Sequence, residues 1–244
     1  MIEPKENERP HRRLLTRAPV ESHAVRPESR QISGRWGSLH PLRPCEQVED
    51  LYALSHTPAS GPELWEYLPY GPFADLNEMR SWMDDCAASS DPLFYAIADE
   101  TGRLSGMASY LRIDPKNGSI EMGHIWLSPA IQKSRSGTEA LYLMMRHAFD
   151  DLGYRRLEWK CNAMNEASRR AARRFGFRYE GTFYRNMIVK GLNRDTAWYA
   201  ILLDDWPAIR EAFETWLSPE NFDDAGRQKQ RLSELVREGI SGTF

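Results

Sequence analysis

Residues 132–141, QKSRSGTEAL, join a strand-like run to an amphipathic helix. A strand that enters a helix through a short polar loop presents free backbone N–H groups and the positive end of the helix dipole. Anions bind at such a place, and Lys133 and Arg135 add charge beside it. The arrangement suits a pyrophosphate. Arg135 stands where a phosphate-cradling turn carries glycine. Either the loop takes another path, or the guanidinium itself reaches a phosphate. Ser136 to Glu139, SGTE, also reads as a capping box, which leaves other amides free.

Two neighbouring segments carry further reactive groups. On the preceding strand, GSIEMGHIWLS, Glu121 shares parity with Ile125 and Leu127 and so points to the same side. It lies about 13 Å from Ile125 at ~3.3 Å per residue. His124 has the opposite parity and reads as packed. The later stretch NEASRRAARRFGF is a basic amphipathic helix, with Asn165 as N-cap, Ser168 three residues on and Gly176 after its end. Its face of Arg169, Arg170, Arg173 and Arg174 is solvated or in part meets a phosphate. Trp65, Glu66, Tyr67 and Tyr70 form an aromatic cluster. The cluster is either core packing or an acceptor pocket with Glu66 as an amine contact. Cys161 reads as a small apolar core residue.

The elements that must position these groups follow from periodicity. SGRWGSLHPL is an opening strand, and CEQVEDLYALSH and DLNEMRSWMDDCAASS are helices on either side of a long loop, GPELWEYLPYGPF. PLFYAIAD, LSGMASYLRID and GSIEMGHIWLS are strands joined by the hairpin turns ETGR and PKNG. TEALYLMMRHAFDDLGY repeats its apolar residues at helical spacing, and RRLEWKCN alternates as a strand. FRYEGTFYRNMIVKG and DTAWYAIL make a closing antiparallel pair, and DDWPAIREAFETWL is a last helix. Hairpins first, then strands alternating with helices, imply a mixed sheet, antiparallel early and parallel around the TEAL helix.

The chain has 244 residues and a formal net charge of −3, so no global field recruits nucleic acid or an anionic membrane. No apolar run approaches a membrane span, and the N-terminus lacks the apolar core of a signal peptide. Three widely spaced cysteines suggest neither a disulfide framework nor a metal site. A cytoplasmic setting is the simplest expectation. Residues 1–33 carry seven Lys/Arg and five Asp/Glu with few large apolar side chains, and read as a flexible arm. Residues 34–217 hold the folded domain, and 218–244 read as a polar, weakly helical extension.

At IEMGHIWLSPAIQKSRSGTEAL and NEASRRAARRFGF the chain resembles the GNAT superfamily of N-acetyltransferases. Its ribosomal-protein N-terminal acetyltransferase branch is the most similar. The family loop Q/R-x-x-G-x-G/A is matched by Gln132, Lys133, Ser134, Arg135, Ser136 and Gly137. TEAL and the pattern from Asn165-x-x-Ser168 to Phe175-Gly176-Phe177 are also typical, and the likeness spans about residues 33–217. The resemblance implies an α/β fold: a mixed, mostly antiparallel twisted sheet with a central splayed parallel pair and helices on both faces. It implies acetyl-CoA as co-substrate, with no metal. Its pantetheine would pair with the backbone of Ile125, Trp126 and Leu127, and its pyrophosphate would rest on the amides from Arg135 to Thr138, near Asn165. One strand amide would polarise the thioester carbonyl. Glu121 stands where many members keep a general base, acting here through water. Ala172 replaces the tyrosine acid of many members, and Ser168 stands at the serine of the N-terminal branch.

The implied acceptor is a small amine or a protein N-terminus, held near Trp65, Glu66 and Tyr67, by a monomer or homodimer. A catalytically weak acyl-CoA-binding protein is the alternative from another class. A third reading is an interaction module that holds RNA or a ribosome weakly through the N-terminal arm.

Overall fold

A computed structural model describes residues 23–57 and 61–241. Eight strands form one sheet: β1 (Ile32–Ser33), β2 (Gly37–Pro41), β3 (Leu93–Asp99), β4 (Leu104–Asp114), β5 (Ser119–Leu127), β6 (Arg156–Asn162), β7 (Arg178–Val189) and β8 (Leu192–Leu202). Their order is β1-β2-β3-β4-β5-β6-β8-β7. Every neighbouring pair is antiparallel except β5 and β6. A parallel pair needs a crossover, and the segment between β5 and β6 supplies a helix for it.

That helix is α4 (Arg135–Arg146). It lies across the sheet with all its residues from Ser136 to Met145 buried. Leu141, Met144 and Met145 share one core with Tyr95, Tyr110, Leu157 and Phe213. The far side of α4 is covered by α6 (Trp206–Leu217), where Tyr142 stacks on Phe213 at 5.0 Å between ring centres. The opposite face of the sheet carries α1 (Pro44–Ser55), the short α2 (Gly61–Trp65) and α3 (Leu76–Ala88). There Val48, Leu51, Trp65, Met79 and Met83 pack on Phe94, Met107 and Trp126. The remaining helices are α5 (Glu166–Arg174) and α7 (Leu232–Ser241). The mixed sheet with its single parallel pair and two helical layers is the architecture expected from the sequence.

Four local expectations change. The TEAL helix does not run straight to Tyr154; after Arg146 it widens into a π turn, His147–Asp151, in which the Leu152 amide donates to the His147 carbonyl. The capping box is not built from Ser136 and Glu139. Ser134 is the N-cap and accepts from the Gly137 amide at 3.1 Å. The Glu139 side chain instead reaches away from α4 and accepts from the Trp36 and Gly37 amides, the latter at 2.8 Å.

The arm read over 1–33 lies outside the described residues up to 22, and its last stretch is tied down. Val25 N–H donates to the Leu152 carbonyl, Tyr95 donates to the Glu28 carbonyl, and Ile32 is buried as part of β1. Composition misses this because the segment docks through backbone groups and through Arg26 and Arg30, whose guanidinium groups reach the Ile113 carbonyl, Asp91 and Asp151. Likewise, residues 218–244 are more than a polar tail. Leu232 and Val236 on α7 are buried against α6 and the end of α5, where Gly176 takes a φ of 90° that a side chain would strain.

The buried Glu139 carboxylate fixes the turn between β1 and β2. Glu139→Leu is expected to cost about 1–3 kcal/mol for each amide left without an acceptor, and Glu139→Gln less than Glu139→Leu. Urea denaturation of the three proteins measures it.

Candidate active site

The ladder between β5 and β6 stops early. Ser119 to Met122 pair with Arg156 to Trp159, yet β5 continues to Leu127 and β6 to Asn162. The cause lies on the other edge of β5. Its pairing with β4 slips between Met107–Trp126 and Ser109–Gly123, so β5 holds one extra residue there. His124 sits in this bulge with a φ of 52°, a left-handed conformation that costs about 1–2 kcal/mol. The bulge turns β5 away from β6 and opens a gap between them.

The gap leads into a cavity of about 1130 Å³. At one end lie Gln132, Lys133, Gly137 and Thr138, from the loop and the N-terminus of α4. Gly137 is required, because a Cβ there would stand 2.3 Å from the Ile131 carbonyl oxygen. The left-handed residue of the loop is Lys133, with φ 59°, and Arg135 opens the helix without strain. The Arg135 guanidinium does not line this cavity. It stacks between Trp36, 4.0 Å from the ring centre, and Phe222, at 4.7 Å. Ser134 caps the helix and Ser136 donates to Glu100, so these two hydroxyls are also engaged away from the cavity. The loop keeps its amides and the charge of Lys133. Arg174, which lines the same cavity, adds a guanidinium that donates to the Thr138 hydroxyl at 3.2 Å. Burial lowers its pKa to about 10.

Ile125, Trp126, Leu127 and Asn165 line the middle. Asn165 caps α5 by accepting from the Ser168 amide at 2.9 Å. The Ser168 hydroxyl oxygen accepts from Trp159 Nε1 at 2.9 Å, which leaves its proton free to be donated. Cys161 lies beside it as a neutral thiol, pushed up by burial against the lowering effects of Ser168 and three arginines. The basic face of α5 is less solvated than expected, since Arg169 turns inward to the Tyr199 hydroxyl and the Ala163 carbonyl.

The other end is charged. Glu121 is buried, and its Oε2 accepts from Arg112 Nη1 at 2.7 Å and Lys160 Nζ at 2.9 Å. Both cations sit on one oxygen, and Oε1 lies near Gly123. Lys160 also pairs with Glu158 at 2.6 Å and stands 3.8 Å above the Trp198 ring. Burial alone would raise the Glu158 carboxyl; hydrogen bonds from Lys160 and Arg156 outweigh it and hold the carboxyl below its ordinary range. His124 faces the cavity as well as the core. Burial, then the charges of Arg112 and Arg194, push its imidazole down to about 4, so it is neutral at pH 7.

Of the three residues expected near the acceptor, Glu66 and Tyr67 line the cavity and Trp65 does not. Trp65 is buried among His56, Phe73 and Trp126 and donates its Nε1–H to the Ser55 carbonyl. Its flat apolar ring belongs to the core of the α1–α3 layer. Its backbone carbonyl accepts from Lys190 Nζ at 2.8 Å. That bond ties the β7–β8 turn to the end of α2. The sequence reading missed Arg112, Lys160, Arg194 and Trp198. The available signal was polar residues at alternating positions, 194, 196 and 198, on a strand that must face inward.

The model of the GNAT acetyltransferase domain matches residues 41–178. The chain is 43% identical to a GCN5-related N-acetyltransferase from Brucella melitensis of known structure. The match covers 88% of this chain and 98% of that one, with a TM-score of 0.86. A GNAT-family protein from Chromobacterium violaceum is 38% identical over 78% of this chain and all of its own, with a TM-score of 0.70. A Bacillus subtilis protein named as a ribosomal N-acetyltransferase, YdaF, is 30% identical over 105 residues, which are 43% of this chain and 57% of that relative's length. The chain belongs to the GNAT acetyltransferase family. It is an acyltransferase of a family that acetylates amines with acetyl-CoA. Among the described residues, no cluster of His, Cys, Asp and Glu could hold a metal, and no helix is long and apolar enough to cross a membrane.

Two outcomes follow. Arg135→Gly is expected to leave CoA affinity within about threefold in calorimetry. It should lower stability by about 1–2 kcal/mol, from a lost cation–π sandwich and a glycine in the helix. The depressed His124 makes the unfolded chain bind a proton that the folded one refuses. Its contribution to stability is present above pH 6.5 and is lost as pH falls from there towards about 4. His124→Asn should flatten that part of the stability-versus-pH curve.

Proposed function

We propose that the enzyme transfers acetyl directly from acetyl-CoA to a primary amine, of a small molecule or a protein N-terminus, within a ternary complex. The observation that carries this reading is the β5–β6 gap. It opens between a helix N-terminus at one end and a charged acceptor end at the other, with Ser168 between them. The residues present fit CoA: the close approach at Gly137, Lys133 and Arg174 suit a pyrophosphate, and unpaired β5 backbone suits an amide-bearing arm. Acetyl-CoA supplies an activated thioester. Backbone amides of Ile125 to Leu127 orient it and polarise its carbonyl. Ser168, held as acceptor by Trp159, gives its proton to the departing sulfur. Glu121, through Oε1 and a water, takes the proton that the amine must lose before it attacks. Arg112 and Lys160 hold that carboxylate in place. The ribosomal name of the Bacillus subtilis relative supports a protein N-terminus as one acceptor class.

Steady-state turnover against pH separates these roles. Glu121→Gln should lose about 10²–10⁴-fold at neutral pH and recover as pH approaches the amine's own pKa. Ser168→Ala should lose a similar factor at every pH, with acetyl-CoA affinity little changed. A Glu121→Gln profile like that of the wild type removes Glu121 as the base. Full activity in Ser168→Ala removes the serine. Thioester binding with no transfer to any amine would favour an acyl-CoA-binding protein without enzymatic activity.

A further inference from the structure

The acceptor end of the cavity holds more positive charge than the acetyl transfer uses. Arg112, Lys160 and Arg194 line it beside one buried carboxylate, Glu121. Arg112 and Lys160 are bonded to Glu121, and Lys160 also to Glu158. Arg194 is different. Among the described residues nothing hydrogen-bonds or ion-pairs with its side chain, and its Nε is buried without a partner. Glu121 is close enough to be felt, but two other cations already hold it. The neighbouring Cys161 thiol is kept neutral by burial and offers no countercharge. The other carboxylates of the lining, Glu63 and Glu66, are exposed on α2 and the loop after it. A half-buried guanidinium with no counter-ion is costly unless a ligand supplies one.

Other donors are unanswered at the same place. Trp198 shares parity with Arg194 on β8 and also lines the cavity, and its Nε1–H is buried without an acceptor. His124 Nδ1 is likewise buried without a partner. A planar guanidinium fork with no counter-ion matches a carboxylate or a phosphate. The Arg194 site adjoins Cys161, which touches Ser168, so such an anion would sit close to the point of transfer.

Resting on the amine-acetylation reading above, we propose that the acceptor carries a carboxylate or phosphate a few bonds from its amine, and that Arg194 binds this anion. The site then selects amino-acid-like or phosphorylated amines over plain alkylamines.

The test has a binding arm and a turnover arm. Thermal unfolding of the wild type, Arg194→Gln and Arg194→Lys is followed with inorganic phosphate or with acetate. Each is run with and without saturating CoA, which fills the pyrophosphate end. With CoA present, both anions should raise the wild-type Tm, Arg194→Gln should lose that rise, and Arg194→Lys should keep part of it. An equal rise in wild type and Arg194→Gln, or none in the wild type, overturns the anion site.

For turnover, matched acceptors are compared: an amino acid and its amide, phosphoethanolamine and ethanolamine, and peptides with an acidic or a neutral second residue. Arg194→Gln should lower kcat/KM for the anionic members by about 10–100-fold, mostly through KM, and leave the neutral members little changed. The pair that responds identifies the source of the anion. Acetylation that ignores both Arg194 and the anion defeats this proposal alone. Arg194-dependent anion binding without acetylation of any amine defeats the transferase reading alone.

Discussion

The site depends on one extra residue in one strand. Had β5 paired with β4 without a bulge, it would have stayed in line with β6, and their ladder would have closed the cavity. The bulge at His124 stores unfavourable backbone geometry and leaves polar backbone without strand partners. The well-packed core under α4 fixes both strands so firmly that this local cost is tolerated. An imidazole at the bulge is neutral because the same burial that fixes the strand disfavours its charge.

Around that opening, charge is distributed unevenly. The end at the α4 N-terminus presents backbone amides, Lys133 and the Arg174 guanidinium. The opposite end holds a chain of ion pairs around the buried Glu121, Arg112–Glu121–Lys160–Glu158–Arg156, whose outer arginine, Arg112, is exposed. Such a chain keeps its geometry, since moving any one member would strip a partner from a buried charge. Ser168 stands between the two ends, held by an indole N–H and a helix cap.

Much of this was legible in the sequence because it is periodic. The apolar runs and hairpin turns of β3 to β5, the alternation in β6, the helical spacing in α4 and the Asn165 and Gly176 caps each follow from local rules, and they locate the gap and the loop. Contacts between distant segments were not legible. Nothing local tells Arg135 that Trp36 and Phe222 will sandwich it, or tells Glu139 that its partners are the amides of Trp36 and Gly37. Parity alone misplaces Glu121: the extra residue at His124 inverts the alternation, so Glu121, paired with Leu111, faces the α1–α3 side while Ile125 and Leu127 face the α4 side, and its two cations come from neighbouring strands. Arg194 was passed over because the strand was read as starting one residue later, at Asp195. Composition likewise hid the docking of residues 24–33 and of α7, where a few well-placed groups matter more than the average.

The sandwich around Arg135 ties the cofactor loop to both ends of the described chain, through Trp36 before it and Phe222 long after it. During synthesis, every residue of the loop has therefore emerged well before the ring that covers its guanidinium exists. A chain cut just short of Phe222 would hold all the residues of the reaction yet lack the lid on the arginine. A ring that emerges late, rather than the loop's own sequence, completes the packing around this arginine.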